Sequence, residues 1–355
     1  MGRFEWQISH CLELPNEGTE LRVQQCYPLE FPAATMRLTC ILLLALLFSG
    51  SFIILASQEN SVSKLPIAQL QQMADGGDPA AQNELGLRYR LGSDVEKDPA
   101  KAIPWFLKAA RQGYAKAYFN LGAAYYNGDG VGTNDLNYCA WFIFSADAGD
   151  ERGKEALVRT MQELGTTRVN RCEEIAATAY LTGDLIKQDY ANALKWYSAA
   201  ANKGDGTACE KLAYMYDRGL GVPIDKAESI KWLQRGADLN YGPAAYELAM
   251  LYESGKNVTQ DLVGARKLYE QASYSSVTQA FAALGRFYAE GLGVKVDRDK
   301  ALAYYMVAAS AGDAAAKQKV DQLSAQLSPK QIAAAKQNAA KLAGFTRSPV
   351  LLMHK

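Results

Sequence analysis

Histidine is almost absent from this chain. Its 355 residues include two, His10 and His354, both at the chain ends. An interior without His argues against a His general base, a Ser-His triad or a His metal site. A surplus of either charge is also missing: Lys+Arg is 38, Asp+Glu is 38 and the net charge is zero. Nucleic-acid binding needs net positive charge or a basic stripe to release counterions, so no nucleic-acid partner is expected. Cysteine is scarce and irregular, at Cys11, Cys26, Cys40, Cys139, Cys172 and Cys209, with no C-x-x-C pair. A zinc or thioredoxin-like site is therefore not indicated, and neither metal nor cofactor is expected. Among Cys139, Cys172 and Cys209 at most one disulfide can form, and buried free thiols in small-residue slots are the preferred expectation. A disordered composition is absent too, since 49% of residues are hydrophobic and 21% charged.

The N-terminal part divides in two. Residues 1–35 show no periodicity and hold Pro15, Pro28 and Pro32. After Met36-Arg37 comes an apolar stretch, Leu38 to Ala56, interrupted at Ser49-Gly50-Ser51. A basic start, an apolar run and small residues describe an export signal, and the run is just long enough for an uncleaved anchor. Residues 36–57 are accordingly expected to be a signal peptide or membrane anchor. Residues 1–35 read as an extension before the more natural start at Met36, or as a short cytoplasmic tail before an anchor. A linker at 58–65 follows, and everything after it is expected outside the cytoplasm, periplasmic or secreted, or tethered to an inner membrane through residues 38–56.

From residue 81 the chain repeats itself every 36 residues. Tyr89, Tyr125, Tyr180, Tyr216, Tyr252 and Tyr288 mark the period, with one 19-residue insertion, 153–171, before the third unit. Sixteen residues after each Tyr stands a large residue: Trp105, Trp141, Trp196, Trp232, Leu268 and Tyr304. Ala81, Leu85 and Tyr89 are spaced as one face of a helix. Gly86 removes bulk so that another helix can approach. Gly92 and its counterparts Gly128, Gly183, Gly219, Gly255 and Gly291 should end each first helix, where φ turns positive. Six residues later stand Asp98, Asn134, Asp189, Asp225, Asp261 and Asp297, each the expected N-cap of a second helix. No unit can bury its apolar face alone, so the units must stack.

The pattern A-x-x-x-L-G-x-x-Y-x-x-G-x-G-V, then D, then A-x-x-W-x-x-x-A-A-x-x-G, resembles the Sel-1-like repeat (SLR) family, a relative of the tetratricopeptide repeats. Leu284-Gly285-Arg286-Phe287-Tyr288 with Gly291-Leu292-Gly293-Val294, Gly219-Leu220-Gly221-Val222 and Ala208-Cys209-Glu210-Lys211-Leu212 carry the likeness. It covers about residues 66–345 and departs most in the third unit, where Ala176-Ala177 replaces Leu-Gly. The resemblance implies an all-α, right-handed α-solenoid of about six helix–turn–helix units plus capping helices. It also implies a non-catalytic adaptor that binds another protein or peptide on its concave face. Periplasmic relatives of this kind assemble exopolysaccharide machinery or restrain a sensor kinase.

Ile67 to Gly77 should cap the start of the array. Ala315 to Leu327 reads as a further first helix. A last helix should begin at Ser328-Pro329-Lys330-Gln331, with Ser as N-cap and Gln bonding back, and end at Gly344 before a loose tail at 346–355. The insertion reads either as a lengthened first helix or as an extra helical stretch, Lys154 to Leu164, broken at Gly165-Thr166-Thr167. Ser61-Val62-Ser63-Lys64 spells the S-x-x-K of penicillin-recognising enzymes, but no K-T-G follows and it lies in a polar linker. Asn257-Val258-Thr259 is a glycosylation sequon.

With Tyr, Leu and the small slots consumed by packing, residues flanking each Leu, chiefly one before and three after it, are the expected exposed candidates. They are Glu84, Arg88, Asn120, Lys211, Met215, Glu247, Leu251, Arg286 and Phe287, joined by Tyr246. An exported adaptor that assembles or regulates an envelope complex is the leading reading. A polysaccharide-binding or structural scaffold, stacking sugars on Tyr114, Tyr241 or Tyr274, is the alternative. A hydrolase ranks below both.

Overall fold

The computed structural model describes residues 62–347, and among the described residues there are sixteen helices and no strand. Residues 1–61 and 348–355 lie outside them, and with them the 36–57 segment, Ser61 and both histidines. The array opens with α1 (Ile67–Asp75), which covers the first unit as expected of a cap. Four units without insertion pair α2 (Pro79–Leu91) with α3 (Pro99–Arg111), α4 (Ala115–Asn127) with α5 (Asp135–Asp147), α9 (Gly206–Arg218) with α10 (Lys226–Asp238), and α11 (Gly242–Ser254) with α12 (Leu262–Tyr274). The insertion supplies α6 (Glu151–Glu163), ahead of the third unit, α7 (Thr166–Thr182) with α8 (Tyr190–Asn202). The sixth unit is α13 (Thr278–Glu290) with α14 (Arg298–Ser310), and α15 (Ala314–Ser324) and α16 (Pro329–Arg347) close the array. Within each unit the two helices pack together and each unit packs on the next, which is the solenoid arrangement; α7 packs on α5 across the insertion and α16 packs back on α14.

Helix boundaries follow local chemistry. The side chains of Asp98, Asn134, Asp189, Asp225, Asp261 and Asp297 each accept a hydrogen bond from the N–H three residues on. Each thereby satisfies one donor that a helix start leaves unpaired. Ser328 and Gln331 bond reciprocally at the start of α16, Ser328 N–H to Gln331 Oε1 at 3.1 Å and Gln331 N–H to Ser328 Oγ at 3.4 Å. Gly344 does not stop that helix, which runs on to Arg347. At the second stop of each unit, Asn240 and Ser276 hold the left-handed conformation where other units have Gly, at φ 59° and 63°.

The deepest packing lies one position later than the Trp series. Phe106, Phe142, Tyr197, Leu233, Tyr269 and Tyr305 are all buried, two of them at 0% exposure, while Trp105 and Trp232 remain half-buried. These rings press on the first helix of their own unit. A Cβ on Gly86 would stand 2.6 Å from Phe106, one on Gly122 2.5 Å from Phe142, and one on Gly285 2.7 Å from Tyr305. Glycine there is a packing requirement, as Gly86 suggested. Of the four repeat Trp, Trp141 and Trp196 are buried, while Lys108 lies 3.8 Å over the half-buried Trp105 ring and Arg235 5.2 Å over that of Trp232.

The insertion is a separate helix, not a lengthened one, because Gly165 breaks the chain between α6 and α7. Gly153 of α6 sits against Ser145, where its Cβ would be 2.3 Å from Oγ. Ala244 meets Gly236 at the same eight-residue offset in an ordinary unit. Thus α6 occupies the place of a first helix, and α7 packs on α5 as well. The join is tied twice. Cys139 of α5 and Cys172 of α7, both buried, form a disulfide, which corrects the expectation of free thiols; Cys209 alone stays free and buried. Asp147 of α5, with its side chain 6% exposed, accepts from Lys195 at 2.5 Å, Trp196 Nε1 at 2.6 Å and Tyr180 Oη at 3.1 Å.

The small-slot packing gives a direct test. Gly122→Ala should lower stability by about 1–3 kcal/mol, the range for overpacking a filled core. Gly132→Ala, where nothing lies within 4 Å of the added carbon, should leave the urea midpoint unchanged or slightly raised. Equal midpoints for the two variants would remove the packing argument.

Candidate functional site

The first helices leave one face free of stacking, and its register decides which of their side chains reach solvent. The row three after each Leu does not reach solvent. Met215 and Phe287 are fully buried, and Phe287 packs edge-on to Tyr269 with centroids 5.4 Å apart. Leu251 in the same row is half-buried. Arg88, 6% exposed, donates to Asp94 at 2.7 Å, to Glu84 at 3.3 Å and to the carbonyls of Ser63 and Leu65 at 2.9 Å each. It anchors the segment leading into α1 and consumes Glu84 as a partner. Asn120 is buried and donates to Asn83 at 2.7 Å. Arg88, Asn120, Met215 and Phe287 are therefore corrected from exposed candidates to internal ones.

The cause is helical rotation. Three residues turn the helix by about 300° and two by about 200°, so the outward row is two after each Leu. That row comprises Leu87, Ala123, Thr178, Tyr214, Met250 and Arg286. Tyr214 is 48% exposed and Met250 42%; neither was singled out by the reading of the sequence. Two bulky groups in one outward row were the available signal. Of the sequence candidates, Lys211, Tyr246, Glu247 and Arg286 stay partly exposed. Arg286 pairs with Glu253, which also accepts from Tyr269 Oη at 2.7 Å. The alternative sugar platform is incomplete: Tyr274 is exposed, but Tyr114 and Tyr241 are half-buried, and Tyr241 Oη donates to Glu210 at 3.3 Å.

Three glutamates from consecutive first helices share this face. Glu174 of α7 pairs with Arg171 at 2.6 Å, and Glu210 of α9 lies 3.5 Å from Lys211. Glu247 of α11 forms no hydrogen bond or ion pair among the described residues. Burial raises its carboxyl pKa, and the neighbouring Glu210 and Asp217 push it further the same way against Lys211. Glu174 is raised by the same cause, burial first. The result is a mixed strip, Tyr214 and Met250 beside Lys211 and partly desolvated carboxylates. Such a strip suits docking of a polypeptide more than catalysis. No group of residues able to hold a metal ion occurs among the described residues.

The family model for the Sel1 repeat matches residues 79–114, 115–150, 174–205, 206–241, 242–276 and 279–313. The chain belongs to the Sel1 repeat family. Proteins of this family mediate protein–protein interaction and are typically non-catalytic scaffolds. A Sel1 repeat protein from Oxalobacter formigenes, known by crystal structure, is 32% identical; the match covers 72% of this chain and 78% of that one, with a TM-score of 0.44. The chitin synthase regulator SKT5 of Saccharomyces cerevisiae is 37% identical over 91 residues, 25% of this chain and 13% of that protein. The secretory immunoglobulin A-binding protein EsiB of Escherichia coli O6:H1 is 36% identical over 67 residues, 19% of this chain and 13% of that protein. The alignment thus spans a small part of either curated relative. The gap between the second and third matches holds α6, so the family pattern skips the inserted helix.

The raised carboxyl of Glu247 fixes the sign of a pH effect. A carboxyl with a higher pKa folded than unfolded binds more protons in the folded state, so its ionisation weakens folding as pH rises above the ordinary Glu value. Glu247→Gln should therefore unfold at the same midpoint as the parent at pH 3.5 and at a higher one at pH 7. A variant less stable than the parent at pH 7 would show that Glu247 gains more from Lys211 than burial costs.

Proposed function

We propose that this protein is an exported adaptor that docks a segment of another protein on the first-helix face, the concave side of the solenoid. The observation carrying the reading is the outward row, where Tyr214 and Met250 stand exposed on adjacent first helices, flanked by Lys211 and Glu247. Every other large apolar group of α9 and α11 apart from half-buried Tyr216, Tyr246, Leu251 and Tyr252 is buried in the array. Exposed aromatic and Met side chains between charged ones are the composition of a protein contact surface. Two relatives act on other proteins by name, one binding an immunoglobulin and one regulating a synthase.

Export is supported by the Cys139–Cys172 disulfide. Its sulfurs are buried within the array, so it belongs to the folded structure, and such bonds persist in oxidising compartments and are rare in the cytosol. The composition of residues 36–57 points the same way. No described helix is long and apolar enough to cross a membrane. An envelope complex is the natural setting for an exported adaptor of this kind, with residues 38–56 as the tether if they are retained.

In-cell crosslinking of the full-length tagged protein, read by mass spectrometry, tests both halves. The parent should capture a stoichiometric protein partner, and Tyr214→Ala/Met250→Ala should lose most of it, a drop of roughly tenfold or more for two central contacts. Arg88→Ala is a poor probe, since it removes the buried side chain that ties α2 to the carbonyls of Ser63 and Leu65 and so perturbs the start of the array. Alkylation in intact cells before lysis should leave Cys139 and Cys172 unmodified and still linked. Free thiols at both positions would place the protein in a reducing compartment and end the export reading. A partner retained by the double variant would move the docking face elsewhere.

A further inference from the structure

A second candidate site lies at the closing end of the array, away from the first-helix strip. Between α14 and α16 opens a cleft of about 270 Å³. One wall is aromatic: Tyr288 and Tyr304 stack with centroids 5.6 Å apart and planes 9° from parallel. Lys300 holds its ammonium 5.2 Å over the Tyr288 ring. From α16 come Asn338, Lys341 and the aliphatic side of Leu342.

The polar groups around this cleft are short of partners. Lys341, Asn338 and the Tyr304 hydroxyl form no hydrogen bond or ion pair among the described residues. Lys300 has only its own helix cap, Asp297, at 3.8 Å, and that carboxylate already accepts the Lys300 backbone N–H at 2.9 Å. No carboxylate lines the cleft. Glu270, behind the Tyr288 hydroxyl, is occupied by Arg266 at 2.5 Å and by Tyr288 Oη at 3.0 Å. Donors therefore line the cleft with no carboxylate among them, against a wall of ring faces and a Leu side chain.

Two ammonium groups, an amide and a phenol are a donor set for a carboxylate, which has about four lone-pair sites to fill. Ring faces and Leu342 favour a flat or aliphatic body beside it. The volume is near the lower end for ligand sites, about 300 Å³, so it suits one or two residues and not a length of chain. We propose that this cleft binds a carboxylate adjoining an apolar side chain, as presented by an acidic peptide residue or by a peptide C-terminus.

Calorimetric titration of the full chain with three probes decides it. The probes are acetyl-Phe-Asp-amide, N-acetylphenylalanine with its free carboxylate, and acetyl-Phe-Asn-amide as the uncharged isostere. At least one acidic probe should bind, and the Asn probe should bind at least about tenfold more weakly, the loss of one charge-assisted contact. Whichever acidic probe binds tighter identifies the source of the carboxylate. Lys300→Gln/Lys341→Gln should abolish acidic-probe binding with an unchanged melting curve, and Lys300→Arg/Lys341→Arg should retain it. If the double Gln variant melts early, the single variants are compared by NMR at the Leu342 methyls, and each should reduce the shift that the acidic probe induces. Equal binding of the Asp and Asn probes, binding that survives loss of both lysines, or no response to either acidic probe would overturn the assignment. Glu247→Gln and Tyr214→Ala should leave this titration unchanged, so its outcome is separate from that of the docking face.

Discussion

The array depends on a large second-helix side chain filling a small-residue slot on the first helix, glycine in three units and alanine in the other three. Phe106 against Gly86, Phe142 against Gly122 and Tyr305 against Gly285 bring the two helices of a unit close enough that no side chain can stand between them. That approach leaves each pair with an apolar edge it cannot cover alone. The edge is covered by the next unit, whose second helix starts at an N-cap fixed six residues beyond the preceding stop. Because the caps and stops recur at a constant spacing, the stacking geometry recurs too, and the outward row of each first helix falls into line. The free surface is thus a by-product of the core: only positions turned away from both neighbours are available for recognition.

The division between legible and illegible features follows from that. The caps, the stops between the helices of each unit and the start of the last helix were readable because they are local; the end of the last helix was not. Asp98 needs only the N–H of Lys101, and Ser328 needs only Gln331. The outward register was not, because it depends on where the next unit stands. Leu+3 and Leu+2 are adjacent in sequence but lie about 100° apart on the helix, which is the difference between buried Met215 and exposed Tyr214. Arg88 carried a further trap. A charged residue on a surface helix suggests solvent, yet this one closes the gap between α2 and the start of the array by bonding to two backbone carbonyls. The disulfide was equally hidden. Cys139 and Cys172 are 33 residues apart, and only the placement of α6 beside α5 folds the intervening chain back so that α7 can reach.

The third unit shows how departures from the pattern are held in place. Its first helix has Ala176-Ala177 in the slot of Leu-Gly, an extra helix precedes it, and Ala176, Ala177 and Tyr197 are nonetheless fully buried. It is also where the cross-ties concentrate: the disulfide from α5 to α7, and Asp147 reaching Tyr180, Lys195 and Trp196 in α7 and α8. Bonds of specified geometry add there to what repeat packing supplies. A join fixed this way ties the units on either side together, and the proposed docking strip from α7 to α11 needs that continuity.

Glu247 separates folding from function most clearly. Neighbouring carboxylates on this face have found partners: Glu174 has Arg171, Glu210 has Lys211 and Tyr241, and Glu253 has Arg286 and Tyr269. Glu247 is half-buried with none, beside a second carboxylate that disfavours its charge. A solenoid selected for stability alone would place a neutral residue there, since an unpaired, partly desolvated charge gains nothing from the fold. It stands next to Tyr214 and Met250, the two large groups that packing also leaves unused. Three side chains that the fold does not need, gathered on two adjacent helices, are better explained by a partner that supplies a cation and an apolar contact than by any demand of the array itself.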